Sequence, residues 1–174
     1  MGMAQSNNSA MAVIDFQQSQ ELDNWVVVND TVMGGRSRSR LDINDNYLSF
    51  SGILSLENNG GFASIRRVYN GKAWLSDKPI QLQVKGDGRE YQLRFRTNRQ
   101  VDGAHYVVRF KTKAGEPGVF QFSQSEFVSQ FRGRILRDAP ALDFADIEQV
   151  GIVLADSNPG EFILLVERIS QLPE

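Results

Sequence analysis

The sequence predicts an all-β fold, an antiparallel β-sandwich of jelly-roll type with one or two short helical turns. Three observations carry that expectation. Beyond residue 40, apolar side chains recur at every second position, the strand period. Clusters of Asn, Asp, Gly and Pro interrupt these runs at intervals of roughly 8–15 residues, as in sandwiches and barrels. Helical signals are confined to Ser19 to Asn24 and Ser123 to Gln130, the second opening with Ser123 three residues before Glu126, a capping-box spacing.

The elements follow in order. Residues 1–11 begin with a polar stretch that lacks Lys and Arg and read as a disordered tail; a single domain is expected over 12–174. An apolar strand at Trp25 to Val28 meets an Asn29-Asp30 turn. Arg36, Arg38 and Arg40 then alternate with Ser37, Ser39, Leu41 and Ile43. Asp42 to Asn46 starts like a calcium loop, but Tyr47 stands where the sharp turn needs glycine, so a polar hairpin turn is expected. In the next strand Leu48, Phe50 and Leu54 oppose Tyr47, Ser49, Ser51 and Ser55. Leu82 lies in the run Ile80 to Lys85. Leu93 and Phe95 alternate with Gln92, Arg94 and Arg96, and Val108 and Phe110 with His105, Arg109 and Lys111. His105 therefore reads as an exposed histidine on a polar face. Phe162 and Leu164 belong to a last strand that is apolar on both faces, as expected inside a sheet. These apolar residues should form the intersheet core.

Composition excludes much chemistry. There is no cysteine and one histidine in 174 residues, so thiolate zinc, iron–sulfur and two-histidine metal sites are absent. No metal or cofactor is expected beyond a structural calcium ion on loop oxygens. Nineteen basic and 21 acidic residues leave a net charge of −2, which gives nucleic acid no advantage as a partner. No stretch reaches the ~18–20 apolar residues of a membrane span, and the start resembles neither a secretory nor a transit signal, so a cytoplasmic location is expected.

Fourteen of the basic residues are arginines, whose planar forks suit carboxylates and phosphates. They either pair internally with acids or line a surface for an anionic partner. Two segments stand out: Asn29-Asp30-Thr31-Val32-Met33-Gly34-Gly35-Arg36-Ser37, and Asn58-Asn59-Gly60-Gly61-Phe62-Ala63-Ser64-Ile65-Arg66-Arg67. Their Asn and Gly residues permit positive φ and close backbone approach. The two should adjoin in space. In one version Asp30 accepts a buried fork from an arginine and fixes the fold. In the other, part of the cluster is exposed and at least one arginine lacks an internal acid.

These two strings, with Phe122 to Phe127, Phe131-Arg132-Gly133-Arg134, Ile147 to Leu154 and Gly160-Glu161-Phe162, resemble the CIA30 family over roughly residues 12–170. The resemblance implies a galactose-binding-like jelly roll and a role like that of the mitochondrial founding member, an assembly factor for respiratory complex I. The leading expectation is thus a non-enzymatic assembly factor that binds protein partners, among them subunits or intermediates of a multisubunit membrane complex. The candidate surface comprises Asn29, Asp30, Met33, Arg36, Phe62, Arg66, Arg132 and Arg134, with no catalytic residue. The alternative is an intracellular carbohydrate- or small-ligand-binding module, with Trp25, Trp74 and Tyr47 as a stacking face. A third reading is an enzyme built on Asp30 and an arginine.

Overall fold

The structure, a computed structural model, describes residues 11–68, 74–97, 105–131 and 134–172. Met11 is already paired in the first strand, one residue before the expected domain start. Among the described residues thirteen strands run antiparallel: β1 (Met11–Asp15), β2 (Trp25–Val27), β3 (Arg38–Asn44), β4 (Tyr47–Leu54), β5 (Ala63–Val68), β6 (Ile80–Lys85), β7 (Glu90–Thr97), β8 (His105–Lys111), β9 (Pro117–Phe122), β10 (Val128–Phe131), β11 (Arg134–Ile135), β12 (Ile147–Leu154) and β13 (Gly160–Gln171). The first sheet has the order β3-β4-β13-β6-β9, with β1 also on β13; the second runs β11-β10-β8-β7-β12-β5-β2.

Period-two patterning decides the core. Leu48, Phe50, Leu54, Leu82, Leu93, Phe95, Phe110, Phe162 and Leu164 are buried, and Val108 packs half-buried against them. Phe110 of the second sheet meets Phe120 of the first with ring centroids 5.3 Å apart. β13, apolar on both faces, is central: β4 lies on one side of it and β6 on the other. β3 and β4 join through Asp45 and Asn46, both at positive φ, as a tight two-residue hairpin turn requires.

Ser19–Asn24 forms a 3-10 turn. Its Glu21 accepts from Trp25 Nε1 at 2.9 Å and pairs with Arg67, so this tryptophan is both buried and satisfied. The expected helix from Ser123 to Gln130 shrinks to Gln124–Glu126, with its capping box formed. Phe127 turns into the core, its ring 5.0 Å from Phe95, and the chain continues extended to pair with β8. Tertiary packing overrides the local helical signal there.

Candidate functional site

The two unusual loops are tied together by one carboxylate. Asn29 and Asp30 follow β2, and Asp30 begins a 3-10 turn that ends at Gly34, whose φ is +87°. Asp30 is 0% exposed. Its Oδ1 accepts from the Ser37 backbone N–H at 2.9 Å, and its Oδ2 from the Ser37 hydroxyl and the Gly61 N–H, each at 2.7 Å. The Phe62 N–H reaches Oδ2 at 3.4 Å, and the Asp30 N–H donates back to the Phe62 carbonyl at 3.1 Å. Burial by itself would raise the Asp30 carboxyl, but the donors, led by Gly61 and Ser37, outweigh it and hold the group below its ordinary value. Asn29 extends the knot, accepting from Ser39 Oγ at 2.9 Å and from the Ser64 N–H at 3.3 Å. The expected arginine fork on Asp30 is therefore replaced by backbone amides and a serine.

Both glycine pairs serve this carboxylate. A Cβ on Gly35 would fall 2.4 Å from Asp30 Cγ, and one on Gly60 would fall 2.4 Å from Asp30 Oδ2. At Gly34 a Cβ would meet nothing within 4 Å, and only the left-handed backbone resists substitution. Gly35→Ala should therefore destabilise by about 2–3 kcal/mol, and Gly34→Ala by about 1 kcal/mol. Denaturant melts of the two variants check the order, and the reverse order would contradict the packing described.

The Gly60-Gly61-Phe62 loop forms one rim of a groove of about 430 Å³ on the outer face of the second sheet. Strand order builds its floor. β12 lies between β5 and β7, so Gly151 is flanked by Arg66 on one side and Arg94 on the other, while Gln149 pairs with Arg96. His105 of β8 lines the same groove. Among the described residues no Asp or Glu lines it. Arg94 donates to the neutral Gln92 Oε1 at 2.8 and 2.6 Å. Burial, then repulsion from Arg96 and Arg109, pushes Arg94 down to about 10, so it stays charged at neutral pH. Burial and then Arg66 lower Arg96 as well. The Gln149 Oε1 is buried without a hydrogen-bond partner. Other arginines do pair internally: Arg89 grips Asp156 with two bonds of 2.9 and 2.7 Å, and Arg67 holds Glu21.

The candidate residues separate into three groups. Asn29 and Asp30 are buried and organise the loops rather than presenting themselves to a partner. Arg36 and Arg134 are exposed, whereas Phe62 and Arg66 are half-buried in the groove wall. Arg36 stands 3.9 Å from Glu57, an exposed pair of little strength. Arg132 lies outside the described residues, as does the side chain of Met33. Three expectations are corrected. His105 is 8% exposed, because the outer face it occupies is the wall of a groove. Trp25 and Trp74 are core residues, so they form no stacking face for a sugar. Asp30 is enclosed by its own donors, so its carboxylate is not open to act with an arginine. Arg94, Arg96, Gln149 and Gly151 were missed as a site; their alternation marked an outer face but not a groove. Among the described residues, no group of three or more His, Asp or Glu side chains could hold a metal ion, and no helix is long and apolar enough to cross a membrane.

Two antiparallel sheets in this order, with a groove across one outer face, define a galactose-binding-like β-sandwich domain. Solved structures of this shape include the family 11 carbohydrate-binding module of cellulase Lic26A-Cel5E from Clostridium thermocellum, with a TM-score of 0.67, 15% identity and 94% of each chain covered. The agarase AgWH50C matches with a TM-score of 0.64 and 13% identity over 92% of this chain and 24% of its own. At such identity the likeness concerns the fold alone. The chain belongs to the CIA30 family, since the model for complex I intermediate-associated protein 30 matches residues 14–166. The mitochondrial complex I intermediate-associated protein 30 of Mus musculus is 28% identical over 92% of this chain and 55% of its own length. A probable counterpart from Caenorhabditis briggsae, also named mitochondrial, is 26% identical over 94% of this chain and 54% of its own. The chain thus spans about half the length of the curated relatives it matches. Their names lend no support to the expected cytoplasmic location.

Proposed function

We propose that this chain is a non-enzymatic binding domain that assists assembly of a multisubunit complex by holding a protein partner. The supporting observation is the arginine surface beside the Asp30 knot: Arg66 and Arg96 have no carboxylate among the described residues, and Arg94 has only a neutral amide. A fold determinant would pair its guanidiniums, as Arg67 and Arg89 do. Family membership supports the assembly role, because the relatives are named for association with intermediates of complex I. The knot holds the Phe62 backbone and strand pairing holds that of Arg66, so the surface is preorganised and loses little entropy on docking. Arg and Phe are residue types enriched at protein interfaces. Arg36 and Arg134 add exposed cations, and Arg132 and Met33 remain part of the proposed surface.

Affinity capture from native membranes with the tagged chain tests the role. It should recover subunits of a respiratory or other multisubunit complex, and Arg66→Ala should reduce their yield several-fold with little change in melting temperature. Recovery of no complex subunit by the unmodified chain would defeat the reading. Unfolding of the variant would make Arg66 a structural residue and remove it from the surface.

A further inference from the structure

We propose that the groove on the second sheet takes an acidic, extended segment of the partner, whose carboxylates are chelated by Arg66, Arg94 and Arg96. The inference rests on the reading of the chain as a protein-binding domain and specifies what that partner presents. Three guanidiniums share a concave surface with no acid in its lining among the described residues. Half-buried cations without counter-charges cost stability, and an anion that enters relieves both desolvation and mutual repulsion. Elsewhere the chain balances its outer faces: the broad depression on the first sheet mixes Arg38 and Arg40 with Asp87 and Glu161. Charge complementarity therefore selects this groove.

Spacing selects the form of the ligand. Arg94 and Arg96 are two residues apart on one face of β7, a separation of about 6.5–7 Å. Carboxylates at positions i and i+2 of an extended peptide have the same repeat. Arg66 stands across Gly151, two strand spacings from Arg94, or roughly 10 Å at the backbone. A segment carrying two or more carboxylates can give separate forks their own acid, which a lone carboxylate does not. Gly151 leaves the floor between Arg66 and Arg94 bare, so a backbone can lie low there.

The test measures fluorescence anisotropy with the full chain and a short labelled peptide carrying glutamates two residues apart. Its control replaces each glutamate with glutamine, and inorganic phosphate and citrate serve as small-anion probes. The acidic peptide should bind and the neutral one should not, with affinity falling as salt rises. Arg96→Gln should weaken binding about tenfold or more. Gly151→Leu should block the floor; the nearest atoms to a Cβ there are Ile65 O at 3.5 Å and Arg94 at 3.9 Å, ordinary contacts, and a melt of the variant checks that it folds. Arg94→Gln should melt no lower than the unmodified chain, which separates a binding role from a structural one. Equal binding of both peptides, or binding untouched by Arg96→Gln and Gly151→Leu, overturns the inference. So does binding of phosphate or citrate with none of the acidic peptide. Membrane capture by an Arg94→Gln/Arg96→Gln variant distinguishes the two levels. An undiminished yield of complex subunits refutes the groove and leaves the assembly role standing. Peptide binding by a chain that captures no complex refutes the role and leaves the groove.

Discussion

Asp30→Ala should lower the unfolding free energy by about 3–5 kcal/mol, measured by denaturant melts. The substitution strips acceptors from the Ser37 N–H and hydroxyl and from the Gly61 and Phe62 amides, in a place that water does not reach. Each stranded buried donor costs about 1–3 kcal/mol, although Ser37 Oγ retains the Ser55 carbonyl at 3.2 Å as an alternative acceptor. The same carboxylate gives a pH signature. Its folded-state pKa lies below the ordinary aspartate value of 3.8, so its contribution is complete above that value and is lost as pH falls through the folded one. The unmodified chain should therefore lose stability below about pH 4, and Asp30→Ala should show a shallower acid slope. Some slope should persist through Asp156, which burial opposes but Arg89 holds down more strongly. A loss under about 1 kcal/mol, or an unchanged slope, would mean that the knot does not hold the two loops.

Truncating Phe95 to alanine should cost about 3–5 kcal/mol. Its ring lies 5.7 Å from Trp74, 5.0 Å from Phe127 and 6.0 Å from Phe144. These contacts join β7 to three separate segments, and Phe127 and Phe144 pack on each other, so neither can collapse into the space without leaving that partner. The cavity should therefore persist. A loss below about 1 kcal/mol in the same melts would place Phe95 outside the core.

The sandwich was readable because alternation is a local property. Leu48, Phe50 and Leu54 announce their strand without knowledge of its neighbours, and the two-faced apolarity of residues 162–166 announces an interior position. The site was less readable, for two physical reasons. Asp30 is bound by amides of Gly61 and Phe62, more than thirty residues along the chain, and a backbone N–H leaves no mark on residue type. Arginine was the expected partner because side chains are all that a sequence displays. The groove depends on β12 lying between β5 and β7, a long-range adjacency that spacing does not encode. Alternation could send Arg94, Arg96 and His105 outward, but not tell that outward meant a groove. The helix expected near Ser123 failed in its second half because Phe127 is worth more in the core than in a helical turn.

The central place of β13 has a consequence for biosynthesis. Residues 160–171 bridge β4, β6 and β1, and Met11 pairs with Gln171. A nascent chain that has emerged only as far as residue 154 has every strand of the second sheet but lacks the middle of the first. The β4 and β6 edges that later receive β13 are then open backbone, the kind of surface that chaperones and aggregating neighbours recognise. Closure must await residues 160–171, and it joins segments far apart in the chain, which makes for slow folding. Ribosome-stalled chains arrested before residue 160 should accordingly be protease-sensitive throughout the first sheet, with protection arriving in one step once residue 171 has cleared the exit tunnel.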